Sequence, residues 1–293
     1  MIEKGKIFML FGPSGHGKST LADIVLNHFK DGSFIINKKL SPRPPRNEKE
    51  VRGEASDAFV GVPYEEVITS DFVQSSFPYF DFSDEWINAS HEERDEQLLS
   101  TSNGTNITPI LEALERGQNV LWLTTDPSYF WHIKFSLGIK DVIPIMIWRG
   151  LDKETFEAQL AQRGSSEAEI KQRWVAQLKS MFSFLPTADN YINQYIVSSK
   201  NEQLDADKLL NWFCLIAKRY NAIPSSYPIG NANDEIAYYW TKEWFDTFVR
   251  VHMQKWQEFL ADNGMPYNPR NPFTFDPGAL ETVIEAKKEG KIK

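Results

Sequence analysis

The chain has 293 residues, 41% hydrophobic and 25% charged, which is enough for one large domain or a domain with a substantial extension. Thirty-two Lys and Arg stand against forty Asp and Glu, and the net charge of −8 excludes a protein built chiefly to hold a long nucleic-acid backbone, though not a local basic groove. A single cysteine, Cys214, excludes an internal disulfide and fits a cytoplasmic setting; no apolar run approaches membrane-spanning length, and no His or Cys set has metal-ligand spacing. In chain order, Lys6 to Phe11 is a short apolar run that predicts a buried parallel strand. Gly12-Pro13-Ser14-Gly15-His16-Gly17-Lys18-Ser19, with Thr20 next, is a complete G-x-x-x-x-G-K-S/T phosphate loop. Thr20 to Phe29 carries Leu21, Ile24, Val25, Leu26 and Phe29 on one face and predicts a helix. Glycines let the backbone wrap closely, so successive N–H groups point at phosphate oxygens beside a positive helix end. In this pattern Lys18 reaches the β- and γ-phosphates and the Ser19 hydroxyl ligates Mg²⁺.

Ser33 to Asn37 predicts a second strand, followed by the proline- and arginine-rich stretch Leu40-Ser41-Pro42-Arg43-Pro44-Pro45-Arg46. Residues 47 to 105 show no clear periodicity and are rich in aromatics, as for a smaller lobe. Thr108 to Arg116 predicts a helix stopped by Gly117, and Asn119 to Thr124 a buried strand. Val142 to Trp148 is another strand, with Pro144 limiting its early pairing. Helices follow over Leu151 to Gln162 and Ser166 to Phe184, then a short strand Tyr195 to Val197 and a closing helix Leu204 to Ala217 that carries a buried Cys214. Strands alternating with helices predict an α/β fold with a parallel sheet. The organisation expected is a core over residues 1 to 218, then a linker and a mostly helical, aromatic-rich extension over 219 to 293. In that extension Trp240, Trp244, Phe248 and Val251 recur at helical spacing from Ile236 onward. Such a stripe reads as a face packed on the core or on a second subunit, as in a homodimer; a base-stacking platform is the other reading.

Two guanidinium groups held by prolines on a stiff loop, Arg43 and Arg46, suit a bidentate grip on a phosphate monoester. That stretch resembles the T-T-R-P-P-R element of guanylate kinases, which holds the phosphate of the acceptor nucleotide. Three further segments resemble the family in the same order. Asn103-Gly104-Thr105 is similar to its Y-G-T/S element, and Gln162 to Arg173 is similar to its arginine-bearing lid. Asp189 to Val197 is similar to its last strand. The resemblance spans about residues 5 to 218. It implies a P-loop kinase fold with a core parallel sheet, a small acceptor-binding lobe and a lid. It also implies ATP and Mg²⁺ as cofactors, Arg43, Arg46 and Thr105 on the acceptor, and Arg163 and Arg173 as cations for the transferring phosphoryl. Asp126 would hold a Mg²⁺-bound water, with an N-cap before Pro127 as its competing role.

The departures fall in the half of the motif set that reads the base. The lid's first arginine is Ala161, the acceptor tyrosine is Asn103, and the serine four positions before the first clamp arginine is Lys39. The family's L-D-I-D segment aligns with Leu123-Thr124-Thr125-Asp126, and the acidic base-reading residue falls among Asp81, Asp84 and Glu85. Base specificity needs buried polar groups matched to the base edge, so replacing them implies an acceptor other than ordinary GMP. The expectation is therefore an ATP-dependent phosphotransferase acting on a nucleoside monophosphate or modified deoxynucleotide. Beside it stand a kinase of a hydroxymethyl base in DNA or of a sugar phosphate, and a non-catalytic guanylate-kinase-like scaffold. No membrane partner is expected, and nucleic acid only as a modified-DNA substrate.

Overall fold

The computed structural model describes residues 4–12, 15–45, 48–51, 58–74, 88–90, 92–93, 102–125, 130, 133–134, 138, 141–148, 153–162, 164–167, 170, 173–174, 195–197, 206–230, 237–238, 250, 254–255, 257–258, 260–262, 285 and 288–290. Its first strand, β1 (Ile7–Phe11), is buried along its whole length, because a parallel strand covered on both faces needs an unbroken apolar run. β1 lies between β7 (Asn119–Thr124) and β8 (Val142–Trp148), parallel to both. β2 (Phe34–Ile36) pairs parallel with β7, and β9 (Tyr195–Val197) parallel with β8. β10 (Ala237–Tyr238) adds an antiparallel edge, giving the order β10-β9-β8-β1-β7-β2. This is an α/β fold on a largely parallel core sheet. Ligands of such sheets bind beyond the carboxyl ends of the strands, which here means beyond Phe11 and Thr124.

One face of the sheet is covered by α1 (Lys18–His28) and α6 (Ala206–Arg219). Phe8, Phe34 and Phe213 meet there with ring centroids 5.2 to 5.7 Å apart, packed among Leu21, Val25 and Leu121. Each such ring contributes about 1.5–3 kcal/mol on burial, so this cluster fixes α1 to the sheet and the loop before α1 with it.

A second sheet of order β4-β3-β6-β5 is built from β3 (Lys39–Ser41), β4 (Ala58–Val60), β5 (Phe72–Gln74) and β6 (Asn103–Thr105). Only Asn37 and Lys38 separate β2 in the core sheet from β3 in this lobe. α2 (Glu48–Val51) and α3 (Tyr64–Ile68) belong to the lobe, while α4 (Thr108–Glu115) leads from β6 to β7. Gly104 is required by close packing: a Cβ there would lie 2.8 Å from the Val67 carbonyl oxygen of α3. Phe72 and Trp122 meet edge to face with ring centroids 6.4 Å apart, which ties the lobe to β7.

Three features differ from the sequence-based expectation. The stretch from 47 to 105 contains regular strands, but each is three residues long, too short for a periodicity to register. Ala237–Tyr238, expected to begin a helix, extends the core sheet beside β9. Residues just past Lys218 pack on the core cluster: Ile223 is buried, and Ala222, Tyr227 and Ile229 lie against it. Pro144 limits pairing on one side only: the β9 ladder starts at Met146, whereas the β1 ladder runs from Val142 through Pro144, which stands opposite Met9. The stripe of Trp240, Trp244 and Phe248 lies outside the described residues.

Candidate functional site

The phosphate loop begins where β1 ends. Gly12 adopts φ +142°, and a Cβ at that position would sit 2.2 Å from the Ile147 carbonyl oxygen of β8, so only glycine fits. Gly15 and Gly17 are also left-handed, at φ +80° and +97°. Gly17 is the N-cap of α1 and offers no side-chain cap, and the first turn holds no carboxylate. The N-terminal end of α1 thus carries neither a side-chain cap from Gly17 nor a carboxylate of its own, which suits it to an anion. Lys18 Nζ donates to the Gly12 carbonyl oxygen at 2.6 Å, which draws the ammonium back across the loop. His16 is buried within the loop, while Ser19 is half-buried and Thr20 exposed on the first turn of α1. This cradle fits a nucleotide triphosphate: close-approach glycines, a helix N-terminus without an acidic first turn, a lysine and, at Ser19, one hydroxyl for a magnesium ion. Ser14 of the loop and Asp126, the second expected magnesium contact, lie outside the described residues.

Beyond the C-terminal edge of β2, the lobe carries the expected acceptor groups. Arg43 follows β3 and Thr105 ends β6; Thr105 is buried and Arg43 half-buried. Arg43 is locked end-on: Nη1 donates to Glu50 Oε2 and Nη2 to Glu50 Oε1, both at 2.7 Å, with Nη1 also reaching the Pro44 carbonyl oxygen at 3.2 Å. Sequence reasoning missed Glu50. The available signal was an acid in the short helix that returns toward Arg43, seven positions on. Arg46 lies outside the described residues.

α5 (Lys153–Gln162) brings the third part close. Its Phe156 side chain would stand 3.7 Å from a Cβ on Gly15, so α5 packs beneath the loop. The helix ends at Gly164, φ +82°, whose N–H bonds the Ala161 carbonyl oxygen. Trp174 is buried and meets Phe156 at 5.6 Å. The segment bearing Arg173 is therefore anchored to the phosphate loop through Trp174 and Phe156. Arg163 lies outside the described residues. In α6 behind the sheet, Cys214 is buried, and burial pushes its thiol up to about 11.

A strand, left-handed glycines and an uncapped helix N-terminus carrying G-x-x-x-x-G-K-S define the class: an α/β nucleotide-binding fold of the phosphate-loop type. Among solved structures the chain is similar to a guanylate kinase from Anaplasma phagocytophilum, at 15% identity over 76% of this chain and 89% of that one, TM-score 0.44. It is also similar to HypB from Helicobacter pylori in complex with nickel, at 12% identity over 77% and 93% of the two chains, TM-score 0.32. No family model matches the sequence, and no curated protein does. No helix among the described residues is long and apolar enough to cross a membrane.

Proposed function

We propose that this chain is an ATP- and Mg²⁺-dependent phosphotransferase whose acceptor is a nucleoside monophosphate or a modified deoxynucleotide. The observation that carries the reading is the phosphate loop itself, with Gly12 pressed against β8 and α1 presenting an uncapped N-terminus. The loop N–H groups and Lys18 hold the donor's phosphates; Ser19 would ligate the magnesium ion and Asp126 would hold one of its bound waters. Magnesium, when bound, neutralises charge on the β- and γ-oxygens. Arg43, Arg46 and Thr105 orient the acceptor so that its oxygen faces the γ-phosphorus. As that P–O bond forms, the β–γ bridging bond breaks and ADP leaves. Arg163 and Arg173 balance the charge that spreads over the transferring group, and closure of their segment excludes water as a competing acceptor. Catalysis of this kind is positioning and charge stabilisation, which is what the preserved residues supply.

One observation favours a second acceptor, a modified base in DNA. Phe59 on β4 is exposed, with Lys38 Nζ 4.9 Å from its ring centroid, an arrangement suited to stacking an unpaired base.

The test is ADP release measured against mononucleotides, hydroxymethyl-modified mononucleotides, sugar phosphates and hydroxymethyl-modified DNA, with Lys18→Ala in parallel. Acceptor-dependent ADP release that is lost in the variant supports the reading. Release at wild-type rate in the variant, or none with any acceptor, removes it.

A further inference from the structure

We infer that Glu50 is the positioning residue of the acceptor-phosphate clamp: it holds Arg43 by the end-on edge so that the Nε edge is presented to the acceptor's phosphate. The inference rests on the reading of Arg43 as that clamp. A guanidinium has two edges that can make paired hydrogen bonds, Nη1 with Nη2 and Nε with Nη2. Glu50 takes the first completely, one carboxylate oxygen to each nitrogen at 2.7 Å. The pair is largely sheltered, the side chains being 28% exposed for Arg43 and 13% for Glu50, so water competes weakly for it. Arg43 is also fixed through its backbone, since its carbonyl oxygen accepts from Gly61 N at 2.8 Å, and Gly61 is left-handed at φ +68°. With the backbone held by the β4 turn and one edge held by α2, the arginine is already ordered before a phosphate arrives. Immobilising a rotamer-rich side chain at the moment of binding weakens affinity, and the Glu50 contact removes that cost in advance. A carboxylate beside the clamp also lowers its net charge. The clamp would then discriminate by geometry, accepting a tetrahedral phosphate in a defined pose rather than any anion.

The test separates geometry from charge. Glu50→Asp keeps the charge but withdraws both oxygens by one methylene, out of reach of a two-point contact. Binding of GMP, dGMP, dTMP, dCMP and 5-hydroxymethyl-dUMP is measured by calorimetry with AMP-PNP and Mg²⁺ in the phosphate loop. The tightest of the five is carried forward, alongside the melting temperature of each variant. Glu50→Asp is expected to raise the Kd of that nucleotide about three- to tenfold, and to add nothing further in an Arg43→Ala background. A lower Kd would make Glu50 a competitor for the guanidinium. An unchanged Kd with a lower melting temperature would make the pair a brace for α2 alone, and either result overturns the inference. If Arg43→Ala itself leaves the Kd untouched, or none of the five nucleotides binds, the clamp reading fails first. If Arg43→Ala weakens binding and Glu50→Asp does not, only the positioning role fails.

Discussion

Lys18 and Gly12 close the phosphate loop on itself: the ammonium donates to the carbonyl oxygen six residues back, at 2.6 Å. The contact is part-buried but lies outside the apolar core cluster, so Lys18→Ala is expected to leave the melting temperature within a degree or two while abolishing transfer. A preorganised charge in such a site is worth about a hundred- to a thousandfold in rate. Stopped-time assays of ADP release beside a thermal melt check both halves. Retained activity would end the phosphotransferase assignment.

Gly12 and Gly15 are both left-handed, yet they differ in room. A Cβ at Gly12 meets the Ile147 carbonyl oxygen at 2.2 Å, whereas at Gly15 its nearest neighbours are side-chain atoms at 3.7 Å. Gly12→Ala is therefore expected to displace β1 from β8 and to lower stability by more than the roughly 1–3 kcal/mol of backbone strain alone. Gly15→Ala pays the strain without the clash. Urea unfolding of the two variants should rank Gly12→Ala as clearly the weaker. Equal losses would show that β8 yields easily at Ile147.

Arg173 sits on the segment that Trp174 pins to Phe156 beneath the loop. If that arginine acts on charge that develops only in the transition state, Arg173→Ala lowers kcat by about tenfold or more and leaves the KM for ATP within a factor of two or three. Arg163→Ala is expected to behave in the same way if it shares the charge-balancing role proposed for Arg173. Steady-state kinetics decide the matter: a raised KM for ATP with kcat unchanged assigns these cations to donor binding instead.

Cys214 has a thiol pushed up to about 11 by burial in α6, from an ordinary value of 9.0. Below pH 9 the thiol is neutral in both folded and unfolded chains and adds no pH dependence. Between about pH 9 and 11 the unfolded chain ionises first, so stability falls as pH rises through that window. Denaturant melts of wild type and Cys214→Ala should diverge in slope there. The native thiol should also resist alkylation at pH 8 and react on unfolding.

Truncation after Lys218 removes Ile223 and Tyr227 from the core cluster, and Ala222, whose carbonyl oxygen accepts from Asn119 Nδ2 at 3.2 Å. It also removes the β10 edge. The shortened chain is expected to melt lower and to be less soluble than the full chain. A chain ending at Gly230 should recover part of the loss. A truncation at Lys218 as stable as the full chain would mean that residues 219 to 293 form a separate unit.

The sequence by itself determined the phosphate loop, the α/β class and the long core elements. In each of these the signal is local: glycines at fixed spacing, an unbroken apolar strand, a helix with one apolar face. It also marked Arg43, because prolines and paired arginines carry their chemistry in their order along the chain. Only the tertiary structure decided what Arg43 touches, since the pairing with Glu50 depends on α2 packing against β4 and so bringing Glu50 back to Arg43. The lobe sheet was hidden for a related reason. Strands of three residues carry too little periodicity to be read, and they exist because β3 is held between β4 and β6 by partners distant in sequence. Likewise Ala237–Tyr238 carries helical spacing in its neighbourhood but becomes a strand, because the open edge of β9 offers backbone hydrogen bonds that local propensity does not register. Gly104 could be matched to a motif from the sequence, but the reason for it, the carbonyl of Val67 pressed against its backbone, exists only once α3 has packed on β6.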